Sequence, residues 1–130
     1  MASRGQAIVE FALSLPILLF MMLGFAEAAF MFAERDLVQR SANVLADVAA
    51  SKMAIEPGES WQAGWNSLVA QEAANAGCDL VDSFVTFPDE THNEGDRVRV
   101  QIRCRYHTRI MHDLWPGLIL MGEGTSVVRS

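Results

Sequence analysis

The sequence predicts an α+β chain: a transmembrane helix that runs on into an outer helix, then a second helix and a small antiparallel sheet. Three observations predict it. No charged residue occurs from Phe11 to Ala26 (FALSLPILLFMMLGFA); residues 37–52 carry apolar side chains at helical spacing; and residues 97–107 alternate apolar and polar with a period of two. The 130 residues suit one domain, and 51% hydrophobic against 20% charged residues is too apolar for a disordered chain. The 10 basic and 16 acidic residues leave a charge of −6, which excludes general binding to nucleic-acid phosphates, since that needs clustered cations. Two cysteines are too few for a structural zinc site but enough for one disulfide.

The first helix is set by its length in apolar residues. If Glu27 is tolerated, the apolar stretch covers residues 11–33, about 35 Å as a helix and enough to cross a hydrocarbon core. Arg4 precedes it, while Arg35 and Arg40 beyond it are balanced by Glu34 and Asp36, so the flanking charges orient it only weakly. The larger C-terminal part and its cysteine pair suit an oxidising exterior, which puts the N-terminus inside and residues 34 onward outside. Pro16 removes one backbone hydrogen bond from this helix, a loss that neighbouring helices can compensate. Gly24, followed by Ala26, Ala28 and Ala29, reads either as a close helix–helix contact or as ordinary transmembrane composition. Glu27 falls near the outer interface, where a carboxylate costs little, and the sequence assigns it no role. A signal peptide cut after Ala28 (Ala26-Glu27-Ala28) and a plain single-pass anchor both compete for this segment. Neither accounts for Glu10, since a carboxylate in a lipid-facing helix costs about 2.5–3.5 kcal/mol near the bilayer centre and less at the interface.

Beyond the span, Leu37, Ser41, Val44, Leu45, Val48 and Lys52 continue the helical spacing, and Pro57-Gly58 ends it. A second helix is expected over Ser60–Ala76, with Ser60 as N-cap and Gly77 just past its end. Its stripe of Trp61, Trp65, Leu68, Val69, Ala73 and Ala76 reads as core rather than as an interfacial anchor. Leu80–Phe87 and Arg97–His107 read as strands joined by the polar loop PDETHNEG, and a short third strand is expected near Thr125–Val128. In the second strand Val98, Val100, Ile102, Cys104 and Tyr106 share one face. If Phe87 and Arg97 flank the loop, Cys104 lies opposite Leu80, two positions from Cys78. A bulge or small slip then allows a Cys78–Cys104 disulfide, the alternative being two buried free thiols.

Arg97, Arg99, Arg103, Arg105 and Arg109 cluster within thirteen positions, whereas residues 41–96 hold Lys52 against ten acids. The cluster reads either as a dock for an acidic partner or lipid headgroups, or as a face neutralised by acids of the same chain. Catalytic and metal readings fail. The loop of residues 89–96 lacks the spacing of a calcium loop, and His92, His107 and His112 show no metal-ligand spacing. Cys78 and Cys104 are not a C-x-x-C pair, and no nucleophile or phosphate motif occurs. No enzyme, cofactor or metal is expected.

Gly5-Gln6-Ala7-Ile8-Val9-Glu10-Phe11 follows a short basic leader and resembles the prepilin-peptidase processing site of type IV pilins. The longer string GQAIVEFALSLPILLFMMLGFAE resembles the TadE-like family, pilin-like proteins of tight-adherence (Flp, type IVb) pilus systems. The resemblance covers about the first third of the chain. It implies cleavage after Gly5, hence a leader of residues 1–5, a transmembrane helix over 6–33 and an extracytoplasmic α+β domain over 34–130. It also implies a bacterial cytoplasmic (inner) membrane location, possible incorporation into the pilus, and a role for Glu10 in meeting the new amine of a neighbouring subunit during assembly. Pro16 and Gly24 lie on the same assembling helix. The implied partners are a prepilin peptidase, other pilin-like subunits (a TadF-like pseudopilin and the major Flp pilin), the inner-membrane assembly platform and membrane lipid. Major Flp pilins carry Tyr where this chain has Phe11 and are far shorter, so the resemblance points to a minor pilin or pseudopilin. A membrane-tethered binding domain unrelated to pili and a secreted protein cut after Ala28 are the alternatives.

Overall fold

The structure is a computed structural model that describes residues 2–53, 60–86, 95–110 and 117–128, with side chains from residue 5 to 51 and from 64 onward within those segments. The expected break at Pro57-Gly58, the loop around His92, His112 and the side chains of Lys52, Ser60 and Trp61 lie outside the described residues.

A single helix, α1 (Ala2–Met53), contains both the apolar run and the outer helix, with Pro16 inside it. It is followed by α2 (Ser60–Asn75), β1 (Asp79–Thr86), β2 (Arg97–Arg105) and β3 (Ile119–Val127), an α+β order. The strands form an antiparallel sheet in the order β1-β2-β3. The outer half of α1 lies across one face of the sheet, chiefly over β3 and β2, and α2 packs beside it.

Helix α2 ends where its sequence permits a left-handed residue. Gly77 has φ +66°, the Cys78 N–H donates to the Ala73 carbonyl at 2.8 Å and the Gly77 N–H donates to Ala74 at 3.0 Å, so two carbonyls at the helix end gain partners. Of its expected stripe, Trp65, Val69, Ala73 and Ala76 are buried. The tryptophan therefore serves the core.

Strand β2 alternates as its sequence does. Val98, Val100, Ile102, Cys104 and, just beyond the strand, Tyr106 are each no more than 1% exposed. They face α1, joined by Val38, Ala42, Leu45, Ala46 and Ala49. This differs from the expected helix stripe, since Leu37 and Val44 are both 47% exposed. The buried face of α1 is instead mostly alanine, and the reason lies in its partner. Gly122 and Gly124 of β3 face the helix so closely that a Cβ on Gly122 would stand 2.6 Å from the Val38 carbonyl oxygen, and one on Gly124 would overlap the Ala42 carbonyl. Small residues on both sides let helix and strand backbones approach, and that approach fixes which helical face turns inward.

The same glycines explain why β3 is longer than expected. It runs over nine residues from Ile119, not only the last few. Glycine lowers strand propensity, so Met121–Thr125 does not read as a strand until its contact with the helix is known. Its outer edge is partly covered: the Gln39 side chain donates to the Glu123 carbonyl at 2.5 Å and accepts the Glu123 N–H at 3.3 Å. About two turns further along the helix, Asp47 accepts from the Ser126 hydroxyl at 2.6 Å.

Leu80 stands opposite Cys104, and the register slips between Leu80 and Asp82. Cys78 and Cys104 are disulfide-bonded with their Cα atoms 5.5 Å apart and a sequence separation of 26. Closing a loop of this size should stabilise the head by about 2–4 kcal/mol. Urea unfolding of the detergent-solubilised chain with and without reductant measures this, and an unchanged midpoint would mean the bridge adds nothing.

Candidate functional site

Gly5, Gln6, Glu10 and Phe11 lie within the opening turns of α1 and are exposed, Phe11 by 64%. Glu10 makes no hydrogen bond or ion pair among the described residues. From Ile8 to Phe25 the large apolar side chains all point outward, with Ile8, Phe20 and Phe25 each 65% exposed or more. A water-exposed surface of this kind is unfavourable at about 25 cal/mol per Å², whereas hydrocarbon accepts it. The helix is a candidate membrane span by length and composition. Pro16 and Gly24 are on the same helix; a Cβ on Gly24 would meet nothing within 4 Å, so that face is open in the isolated chain. The structure does not bring the Gly5–Phe11 motif near the disulfide: the motif lies about 25 Å below Glu27 along the helix, and the cysteines lie in the head.

The residue that sequence reading left without a role organises the junction. The Glu27 carboxylate accepts the Tyr106 hydroxyl at 2.6 Å, the Arg109 N–H at 3.0 Å and the Ile110 N–H at 2.8 Å. Two of these donors belong to a backbone that leaves β2 and would otherwise need water. The Arg109 side chain continues up the helix, its guanidinium 5.4 Å from the Phe30 ring centre and 3.9 Å from Glu34. Residues 27, 30 and 34 share one helical face, so a single short segment after β2 is held by three successive turns.

Two acids are shifted here by burial. Tyr106 is pushed up to about 12, first by burial and then by its hydrogen bond to Glu27 and the nearby charges of Glu27 and Glu34, with Arg109 opposing. Burial raises Glu34, and Arg109 and His107 partly offset it. Nothing in the sequence pairs Glu27 with Tyr106, because the two are 79 residues apart. The only sequence signal is a carboxylate that interrupts an apolar run.

The arginine face is largely neutralised within the chain. Arg99 pairs with Glu123 at 3.2 Å and Arg103 with Asp82 at 3.0 Å, while His107 reaches Asp79 at 3.1 Å. Glu123 comes from β3, beyond the acidic stretch the sequence pointed to. Such half-exposed pairs contribute about 0–1 kcal/mol each; they balance charge more than they hold the fold. Among the described residues no group of His, Cys, Asp and Glu is placed to hold a metal ion.

A helix whose first half is bare and apolar and whose second half is the wall of a small α+β head defines a head-bearing protein with a candidate single-helix membrane anchor. Residues 5–47 match the family model for TadE-like protein. The match begins at Gly5 and ends on the part of α1 that packs against the sheet. No curated protein and no solved structure matches the chain.

Proposed function

We propose that this chain is a minor pilin or pseudopilin of a tight-adherence (Flp, type IVb) pilus, processed after Gly5 by a prepilin peptidase and held in the cytoplasmic membrane with its head outside. The observation that carries the reading is the unbroken α1. Its Gly5–Phe11 motif, its bare apolar half and its head-bound half form one helix, and the TadE-like match spans all three. A helix of this design can keep the head folded while its lower half passes from lipid to contacts with other apolar helices. The function is then assembly, with no chemistry performed by the chain. Its partners are the peptidase, the other pilin-like subunits and the assembly platform.

Release by cleavage after Ala28 fits less well. It would remove Glu27, to which the Tyr106 hydroxyl and the N–H groups of Arg109 and Ile110 all donate, and a folded head would lose the acceptor for those groups.

Processing decides between the readings. Cleavage after Gly5 removes about 0.5 kDa and cleavage after Ala28 about 3 kDa. Intact mass of the mature protein from cells containing the peptidase should show the smaller loss, with Gln6 as the new N-terminus. An N-terminus at Ala29 or an uncut Met1 contradicts the proposal.

Glu10→Ala tests the assembly role. Membrane insertion and processing should persist, because removing a charge makes the helix more compatible with lipid. Association with other pilin-like subunits should fall, since a carboxylate–amine pair in low dielectric favours one axial register between neighbours. Co-purification with those subunits measures it, and wild-type recovery would mean that Glu10 only snorkels to the interface.

A further inference from the structure

Between α1 and the lower rim of the head lies a groove of about 290 Å³ lined by Gly24, Glu27, Ala28, Met31, Tyr106, Thr108 and Leu118. We infer that it holds an acyl chain of an outer-leaflet phospholipid; the inference rests on the membrane-anchored reading above.

Its height on the helix is the first argument. The charge-free run that begins at Phe11 ends at Ala26, and Glu27 is the first charge above it, which sets Glu27 near the outer face of the hydrocarbon core. The head therefore attaches at the hydrocarbon boundary. Gly24, which lines the groove, is a turn below the lowest hydrogen bond to the head and belongs to the stretch of helix whose large side chains, Ile8 to Phe25, are bare.

The chemistry of the lining is the second. The carboxylate that could hold water here already accepts the Tyr106 hydroxyl and two backbone N–H groups. What remains facing the space is mostly Gly24, Ala28, Met31 and Leu118, apolar and small at the floor. An apolar cavity of roughly 150 Å³ stays dry and takes a benzene-sized guest, and this groove is about twice as large. A flexible alkyl chain fits.

The test uses the full chain in vesicles of phosphatidylethanolamine and phosphatidylglycerol, with a photoreactive p-benzoylphenylalanine placed singly at two positions. Leu118→p-benzoylphenylalanine probes the groove, and Phe20→p-benzoylphenylalanine probes the bare helix. Both should give phospholipid adducts by mass. Adding Gly24→Leu, where the open side accepts a side chain, should abolish the Leu118 adduct and spare that at Phe20. A lipid adduct at Phe20 with none at Leu118, or a Leu118 adduct that survives Gly24→Leu, overturns the groove and leaves the anchor standing. A Leu118 adduct with a second copy of the chain also overturns it. Lipid adducts at neither position overturn the anchor and this inference together.

Discussion

Gly124→Val should destabilise the head by about 2–3 kcal/mol, although valine is the better strand residue. Two effects oppose each other. Replacing a strand glycine recovers up to about 1 kcal/mol of propensity and backbone entropy. The new Cβ, however, would overlap the Ala42 carbonyl and crowd the Asn43 amide. These are backbone atoms that no rotamer change can move, so strand and helix must separate. Overpacking of this kind costs typically 1–3 kcal/mol, occasionally more, and separation also loosens the layer formed by Val38, Ala42 and Leu45. The clash wins. Gly64→Ala is the matched control: that glycine is exposed, with nothing within 4 Å of an added Cβ, and the change should add about 0.5–1 kcal/mol through helix propensity. Urea unfolding followed by circular dichroism separates the two. A Gly124→Val chain as stable as its parent would mean that α1 and β3 are not in backbone contact.

Glu27→Ala should cost about 2–4 kcal/mol, the second large effect. It removes the carboxylate that accepts the Tyr106 hydroxyl and the N–H groups of Arg109 and Ile110, leaving Tyr106 only the long 3.5 Å bond to the Glu27 carbonyl. An orphaned buried donor costs about 1–3 kcal/mol, but residues 109 and 110 are exposed enough to recruit water, so the total falls below the sum. Glu27→Gln isolates the charge. Tyr106 is the chain's one tyrosine, so tyrosinate absorbance reports it alone. In the parent it should ionise near pH 12, against about 10 for an unfolded tyrosine. Because the folded value is raised, the associated stability is complete below about pH 10 and is lost as the pH climbs toward 12. Glu27→Gln should bring the ionisation down, though not fully to 10, because burial is the larger cause. An unchanged titration in that variant would place the cause elsewhere.

Features that depend on near neighbours were legible in the sequence. The charge-free run identified the lower half of α1, strict alternation identified β2 with its inward face, and Gly77 marked the end of α2. Features set by distant partners were not. Gly122 and Gly124 weaken β3 by every local measure and are correct only because a helix backbone lies against them. Leu37 and Val44 fit the helical period as well as Val38 and Ala42 do, and only that contact selects the second pair. Gly5, Gln6, Glu10 and Phe11 are close in sequence, and the processing site proposed for them rests on that motif. Glu27 could be seen only as an oddity, since two of its partners are backbone amides, which carry no residue identity to search for.

The packing of β3 against α1 also sets an order of events. Strand β3 closes on the outer half of α1 across sixty-five residues of intervening chain, 54–118. The alanine face of α1 thus stays incompletely covered until β3 is in place, because β3 supplies the larger part of the sheet surface packed against it. Long-range closure of this kind is slow, and it exposes apolar surface in the interval. A truncation that stops short of Ile119 would leave a tethered, half-walled intermediate rather than a smaller folded head. The strand hardest to see in the sequence decides when the head is complete.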